Sequence, residues 1–178
     1  MDTTAKTAFI AFGGNLGDPI KTLQAALPML GDAVGDVELL SSLYETKALT
    51  LNGSTQPNYI NAVIAVSTTL GPEQVLAELL RIEKELGRDR SADKRWEPRT
   101  IDLDLLFVDD VCQKTDALTL PHPEISKRDF VLRPLLEIAP EFEHPVSKRS
   151  IAELYRLVED EGLEQFVLRT FPVPAPER

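Results

Sequence analysis

Within the string RWEPRTIDLDLLF, residues 95–107, Asp102 and Asp104 stand two residues apart at the start of an apolar run. On an extended strand, side chains i and i+2 share a face with their Cα atoms about 6.5–7 Å apart. Two carboxylates so placed suit one divalent cation held by oxygen; with no cation they repel each other and hold protons more tightly. Ile101, Leu103, Leu105 and Phe107 share the opposite face, and the acidic face itself turns apolar at Leu106 and Val108. The aspartates therefore fall at the rim of the interior, where a cleft can open.

Seven of the 19 lysines and arginines lie between Arg81 and Arg99, and Arg88, Arg90, Arg95 and Arg99 crowd the loop before the aspartates. Magnesium is usually held by one or two carboxylates together with phosphate oxygens, while Arg and Lys meet the remaining phosphate charge. The layout thus suits a metal-bound polyphosphate. It equally suits a solvated helix end and loop, because Glu83, Glu85, Asp89, Asp93 and Glu97 are interleaved. Trp96 in the same loop is either a plug over the end of a sheet or a flat surface for a heterocycle.

Other chemistry finds less support. The turn GGNLGD (13–18) lacks the Gly-Lys-Ser/Thr ending of a P-loop and the spacing of GxGxxG, so it reads as a tight strand-to-helix turn. His122 and His144 read as ordinary loop histidines, and no Ser/His/Asp or Cys/His set suggests itself. A single cysteine, Cys112, excludes an internal disulfide and cysteine-based zinc spacings.

The elements that must carry these residues follow from periodicity. Residues 7–12 read as a buried strand; Asp18 caps a helix with Pro19 at its first position and Ile20, Leu23, Leu27 and Leu30 on one face. Pro28 should kink or shorten that helix. Residues 37–46 and 59–68 read as two strands, the second with Ile60, Ala62, Ile64 and Val66 on one face. A helix from Gly71-Pro72 carries Val75, Leu79, Ile82 and Leu86 and ends at Gly87. A loop (88–99) then leads into a strand at 100–108. The order is strand, helix, strand, strand, helix, strand, the split βαβ pattern of an α+β, ferredoxin-like fold, an antiparallel sheet with helices on one face. Further on, LTLPHP reads as extended, residues 127–139 and 150–162 as helices, and LEQFVLRTF as a last strand, with 170–178 assigned to a terminal tail.

At 178 residues, 43% hydrophobic and 27% charged, the chain is expected to form one domain over 1–178. A net charge of −10 disfavours general nucleic-acid binding. The apolar run AFIAF is too short for a signal-peptide core, and no uncharged stretch approaches the roughly 18 residues of a membrane span; a cytoplasmic protein without membrane contact is expected.

Taken together, the segments AFIAFGGNLGD, SSLYET, QPNYINAV, RIEKELGRDR, RWEPRTIDLDLLF, LTLPHP and FVLRPLLEIAP resemble, in this order, the 6-hydroxymethyl-7,8-dihydropterin pyrophosphokinases of folate biosynthesis. The resemblance implies a ferredoxin-like core that binds ATP with two magnesium ions and transfers pyrophosphate to the pterin's hydroxymethyl oxygen, releasing AMP. It makes Asp102 and Asp104 metal ligands, with Asp102 also able to accept the hydroxyl proton. Arg88 and Arg99 match arginines on the transferred phosphates, while Glu83, Arg90, Thr119, His122 and Arg128 match nucleotide contacts. The pterin would lie between Trp96 and Phe130, with Asn61 on its edge, Tyr59 lining the pocket and the Thr46 to Leu49 backbone nearby. Four departures stand out: a longer KALTLNGST segment lacking the usual proline and glycine, Glu97 for glycine, Gly14 for serine, and Glu124 where a basic residue is common. They leave room for a second reading, a diverged non-catalytic paralogue that binds nucleotide or pterin.

Overall fold

A computed structural model of the protein describes residues 4–48, 56–88, 98–160 and 167–171. The first strand, β1 (Lys6–Gly14), leads into α1 (Pro19–Ala33), where Asp18 Oδ1 accepts from the Lys21 amide at 3.2 Å and Pro19 occupies the first turn. The helix is not shortened at Pro28: it runs on to Ala33, with the proline ring on the exposed face.

The strand expected at 37–46 is two strands, β2 (Asp36–Leu40) and β3 (Leu43–Thr46), both antiparallel to β4 (Tyr59–Thr68). Ser41 makes the break without losing the ladder. Its hydroxyl accepts from the Val63 amide at 3.0 Å, and its own amide donates to the Val63 carbonyl at 3.0 Å. A side-chain oxygen replaces a backbone one, so the chain can jog between strands with its partners satisfied.

Helix α2 (Pro72–Glu85) ends as expected: Leu86 caps it and Gly87 takes φ +89°, a left-handed conformation that favours glycine. Strand β5 (Asp102–Val108) then pairs with β1, and the sheet order becomes β5-β1-β4-β3, with β2 beside β3 on β4. This is the split βαβ order expected. Strand β8 (Val167–Phe171) adds to the free edge of β3, so Thr170 and Phe171, assigned to the tail, pair with Tyr44 and Leu43. A small hairpin of β6 (Gln113–Lys114) and β7 (Thr119–Leu120) accounts for the extended LTLPHP segment.

The two helices of the βαββαβ core lie on one face of the sheet, as expected, and the additional C-terminal helices cover the other. Against one face, α1 and α2 bury Leu23, Leu30, Leu79 and Ile82 with Ile10, Phe12, Ile64 and Leu103. Against the other, a 3-10 turn (Ile125–Lys127), α3 (Asp129–Ile138) and α4 (Ile151–Asp160) bury Val131, Leu135, Leu154 and Val158 with Phe9, Val63, Ala65 and Leu106. Strand β5 serves both layers through a bulge: Phe9 faces Phe107 while Ile10 faces Leu105, leaving Leu106 as the extra residue. The simple alternation read from the sequence stops there. Phe107 crosses to the α3 and α4 layer, and Val108 joins the α1 and α2 layer. Phe107 then packs with Phe142 at 4.9 Å between ring centroids and meets His144 edge-on at 5.5 Å.

Helix α3 is tied to β3 by one carboxylate. Glu137 accepts from the Ser42 amide (3.0 Å), the Ser42 hydroxyl (2.9 Å) and the Tyr44 hydroxyl (2.8 Å). Burial and this carboxylate hold the Tyr44 phenol well above its ordinary pKa, so it remains a donor.

Two outcomes are expected. Glu137→Ala should lower stability by about 1–3 kcal/mol, because it strands three donors, read as a reduced urea midpoint at unchanged slope. His144 is held below its ordinary pKa of 6.5 by burial. Its Nδ1 accepts from the Val146 and Ser147 amides at 3.2 and 3.3 Å. The unfolded chain therefore binds this proton more readily, and the stability His144 contributes is present above pH 6.5 and lost as pH falls from there towards the folded value. Denaturation midpoints across that range should fall less steeply in His144→Asn than in the native chain.

Candidate active site

The two aspartates open β5, and the strand pairing decides what they face. One row across the sheet runs Asp102, Gly13, Asn61, Tyr44; the row beside it begins Asp104, Ala11, Val63. Adjacent strands lie about 4.8 Å apart, so Asp102 and Asn61 flank a floor made by Gly13, which has no side chain. A Cβ added there would sit 3.4 Å from Asn61 Oδ1. Beyond the end of the α3 layer this floor opens into a cavity of about 420 Å³.

Most of the expected residues meet there. Asp102, Asp104 and Arg99 form one wall, Thr46, Tyr59 and Asn61 the opposite one, and Arg128 and Phe130 come from the start of α3. Asn61 Nδ2 donates to Thr46 Oγ1 at 2.9 Å, which fixes the carboxamide. Burial pushes the Tyr59 phenol upward in pKa, so it stays protonated. Trp96, Arg90 and Leu49 lie outside the described residues. Thr119 sits on the β6–β7 hairpin and is not among the residues lining the cavity. His122 is half-buried beside Asp104; burial holds it below its ordinary pKa, and its Nδ1 accepts from the Glu124 amide at 3.3 Å, leaving the ring proton on Nε2.

Arg88 and Glu83 stand behind the wall. The Glu83 side chain, 1% exposed, accepts from Arg88 Nη1 at 2.7 Å and from the Leu103 amide at 2.7 Å. Arg88 Nη1 also pairs with Asp102 Oδ1, while Arg99 Nη1 donates to Asp102 Oδ2 at 2.8 Å. Glu83, expected as a nucleotide contact, is thus buried between α2 and β5, where it holds Arg88 and the amide between the two aspartates. Arg99 keeps a donor in reserve, for its buried Nε has no hydrogen-bond partner among the described residues.

The donor chemistry fits a hard divalent cation. Asp104 is held above its ordinary pKa, first by burial and then by the Asp102 charge, the state of a carboxylate pair that a cation would relieve. No three or more His, Cys, Asp or Glu side chains among the described residues are grouped so as to hold a metal ion by themselves. A cation on these two carboxylates takes its other oxygens from phosphate or water, which is magnesium's habit.

Several residues here were not legible as site residues. Asn15, 3% exposed, receives the Arg99 amide on Oδ1 at 2.9 Å, gives its own amide to the Arg99 carbonyl at 3.0 Å, and donates from Nδ2 to the Pro57 carbonyl at 3.1 Å. The GGN turn therefore clasps the ends of both loops that border the site. Gly14 belongs to the same clasp: a Cβ there would lie 2.7 Å from the Thr100 carbonyl oxygen, so glycine in place of the usual serine matches a close backbone approach. Lys47, Glu124 and Lys127 also line the cavity; for Asn15 the sequence signal was the GGN string, which pointed to a turn, while Gly14 and Glu124 stood out only as departures from the family pattern.

Comparison with known proteins places the chain in a family. The family described as 7,8-dihydro-6-hydroxymethylpterin-pyrophosphokinase (HPPK) matches residues 9–140. The chain belongs to this family. An HPPK relative from Synechocystis, named 2-amino-4-hydroxy-6-hydroxymethyldihydropteridine pyrophosphokinase, is 40% identical over 153 residues, 85% of this chain and 76% of its own. A Haemophilus influenzae relative of the same name is 40% identical over 156 residues, 86% of this chain and 94% of its own. The HPPK fold is shared with the Plasmodium falciparum HPPK-DHPS triple mutant in complex with SDX-DHP, at a TM-score of 0.72 and 17% identity, over 92% of this chain. This chain spans 46% of that longer one.

Glu83→Gln is the expected weak point of the HPPK wall. Removing its charge leaves Arg88 buried with half its compensation, which should cost about 3 kcal/mol of stability and lower the transfer rate through Asp102, measured as the urea midpoint and kcat on one preparation.

Proposed function

We infer that this chain transfers the pyrophosphoryl group of ATP to the hydroxymethyl oxygen of 6-hydroxymethyl-7,8-dihydropterin, a step of folate biosynthesis. The observation that carries this reading is the two-walled cavity: carboxylates and arginines on one side, an amide, a phenol and a phenyl ring on the other, within a chain of the HPPK family. Relatives that cover most of this chain carry the pyrophosphokinase name.

The polar wall suits the triphosphate and the other wall suits a flat heterocycle. Phe130 offers a ring face, Asn61 an amide for the pterin's hydrogen-bonding edge, and Tyr59 a protonated phenol. The hydroxymethyl oxygen bonds to the β-phosphorus, the bond between that phosphorus and the oxygen bridging to the α-phosphorus breaks, and AMP leaves with the bridging oxygen. The hydroxyl proton is lost in the same process, with Asp102 as its proposed acceptor. Charge develops on phosphate oxygens, so the work is positioning and electrostatic stabilisation. Arg99 on the cavity wall and Arg88 behind it serve that role, with Arg128 on the same wall as a nucleotide contact; Arg90 is assigned to the nucleotide and Trp96 to the pterin by resemblance alone.

Asp102 and Asp104 would hold magnesium, two ions in the full proposal, which when bound neutralises phosphate charge and aligns the triphosphate. Thr119 and His122 complete the proposed nucleotide contacts. No helix among the described residues is long and apolar enough to cross a membrane, and we place the protein in the cytoplasm, where its nucleotide is abundant.

The deciding experiment is AMP formation from magnesium-ATP with and without the pterin. Pterin-dependent AMP is the expected result; tight ATP binding with no AMP would favour a non-catalytic paralogue. Asp102→Ala and Asp104→Ala should each reduce turnover at least about a hundredfold while far-UV circular dichroism stays native. Full activity in either variant would remove that residue from the metal site.

A further inference from the structure

The charge inventory of the cavity contains one member that the reaction does not explain. Three acids line it, Asp102, Asp104 and Glu124. The first two are suited to a cation; Glu124 adds a negative charge to a chamber that must admit a triphosphate, and alone it would oppose binding.

Its geometry supplies the reason. Glu124 precedes the 3-10 turn Ile125–Lys127, and on such a turn side chains three apart lie one above the other. Lys127 Nζ accordingly stands 3.6 Å from Glu124 Oε1, and both residues line the cavity. The backbone beneath them is fixed: the Lys127 amide donates to the Glu124 carbonyl at 3.1 Å, the Glu124 amide to His122 Nδ1 at 3.3 Å, and Ile125 is 1% exposed in the second core. The side chains themselves are accessible, 68% for Lys127 and 41% for Glu124, so the pair is a weak, solvent-screened one on a rigid base. Arg128, next in the chain, lines the same cavity with its guanidinium over the Phe130 ring at 5.8 Å.

We propose that Lys127 binds the β,γ-diphosphate unit of ATP and that Glu124 holds it between turnovers as an internal competitor. The proposal rests on the pyrophosphokinase reading and adds to it a specificity device. A triphosphate, with several charges and other anchors on Asp102-side arginines, displaces a single carboxylate from Lys127. AMP, which lacks the transferred unit, does not. The pairing thereby keeps the cavity from retaining the nucleotide product and reserves the lysine for substrate.

The test is calorimetric titration with α,β-methylene-ATP and magnesium. Its methylene bridge replaces the bond that breaks, so it binds without turnover. Lys127→Gln should weaken binding roughly three- to tenfold, and Glu124→Gln should tighten it by roughly two- to fivefold. In the double variant most of the gain from Glu124→Gln should vanish, since the lysine it frees is gone. AMP affinity should be equal in all four proteins, and Lys127→Arg should restore analogue binding. Native-like analogue binding by Lys127→Gln overturns the proposal, as does an equal loss of AMP affinity. A Glu124→Gln gain that persists undiminished in the double variant overturns the competitor role. Pterin-dependent AMP release by the native protein reports separately on the reaction, so the two readings fail independently.

Discussion

One buried carboxylate governs the geometry of the site. Glu83 on α2 accepts from Arg88 just beyond the helix and from the Leu103 amide on β5, so a single side chain fixes helix to strand and arginine to aspartate. Its position is nearly sealed, and the carboxylate and the guanidinium compensate each other's buried charge. The consequence reaches the surface: Arg88, held from behind, meets Asp102 from the protein side, while Arg99 meets it from the loop side. The charged wall of the cavity is therefore a layered arrangement in which the exposed charge inherits its orientation from a hidden one.

The sheet converts this local order into a chamber. Pairing of β1 with both β4 and β5 puts Gly13 between Asp102 and Asn61, and a glycine there leaves a floor between polar groups from different strands. Asn15, one turn further, binds the Arg99 backbone on both sides and reaches Pro57. Two loops far apart in sequence are thus brought to one edge by an asparagine whose four-atom side chain can donate and accept at once. With both sheet faces covered, the cavity lies where β1, β4 and β5 meet the start of α3.

The bulge in β5 reconciles two demands on one short strand. Near its start, Leu103 and Leu105 must enter the α1 and α2 layer so that Asp102 and Asp104 face the cavity. Further along, Phe107 is needed against Phe9 and Phe142 on the other face. Strict alternation cannot satisfy both, and one extra residue at Leu106 can. Residues 102–105, which bring both aspartates to the cavity, keep the regular pattern.

Periodicity and turn chemistry were enough to read the order of elements, the Asp18-Pro19 start of α1, the glycine end of α2, the core face of β4 and the pairing of Asp102 with Asp104, because each depends on neighbours within a few residues. The tertiary structure alone decided the rest. Helix α1 runs on through Pro28, which lies on its exposed face; Ser41 split a strand because its hydroxyl found Val63; Phe107 changed faces because the bulge is a relation between β1 and β5. Likewise, nothing in the local sequence around Glu83, Asn15 or Lys127 states what each touches. Glu83 reads as one more helical acid, and Asn15 as a turn former. Their roles arise from partners 20, 84 and 42 residues away, or from a cavity wall, and such proximity exists only once the chain has closed on itself.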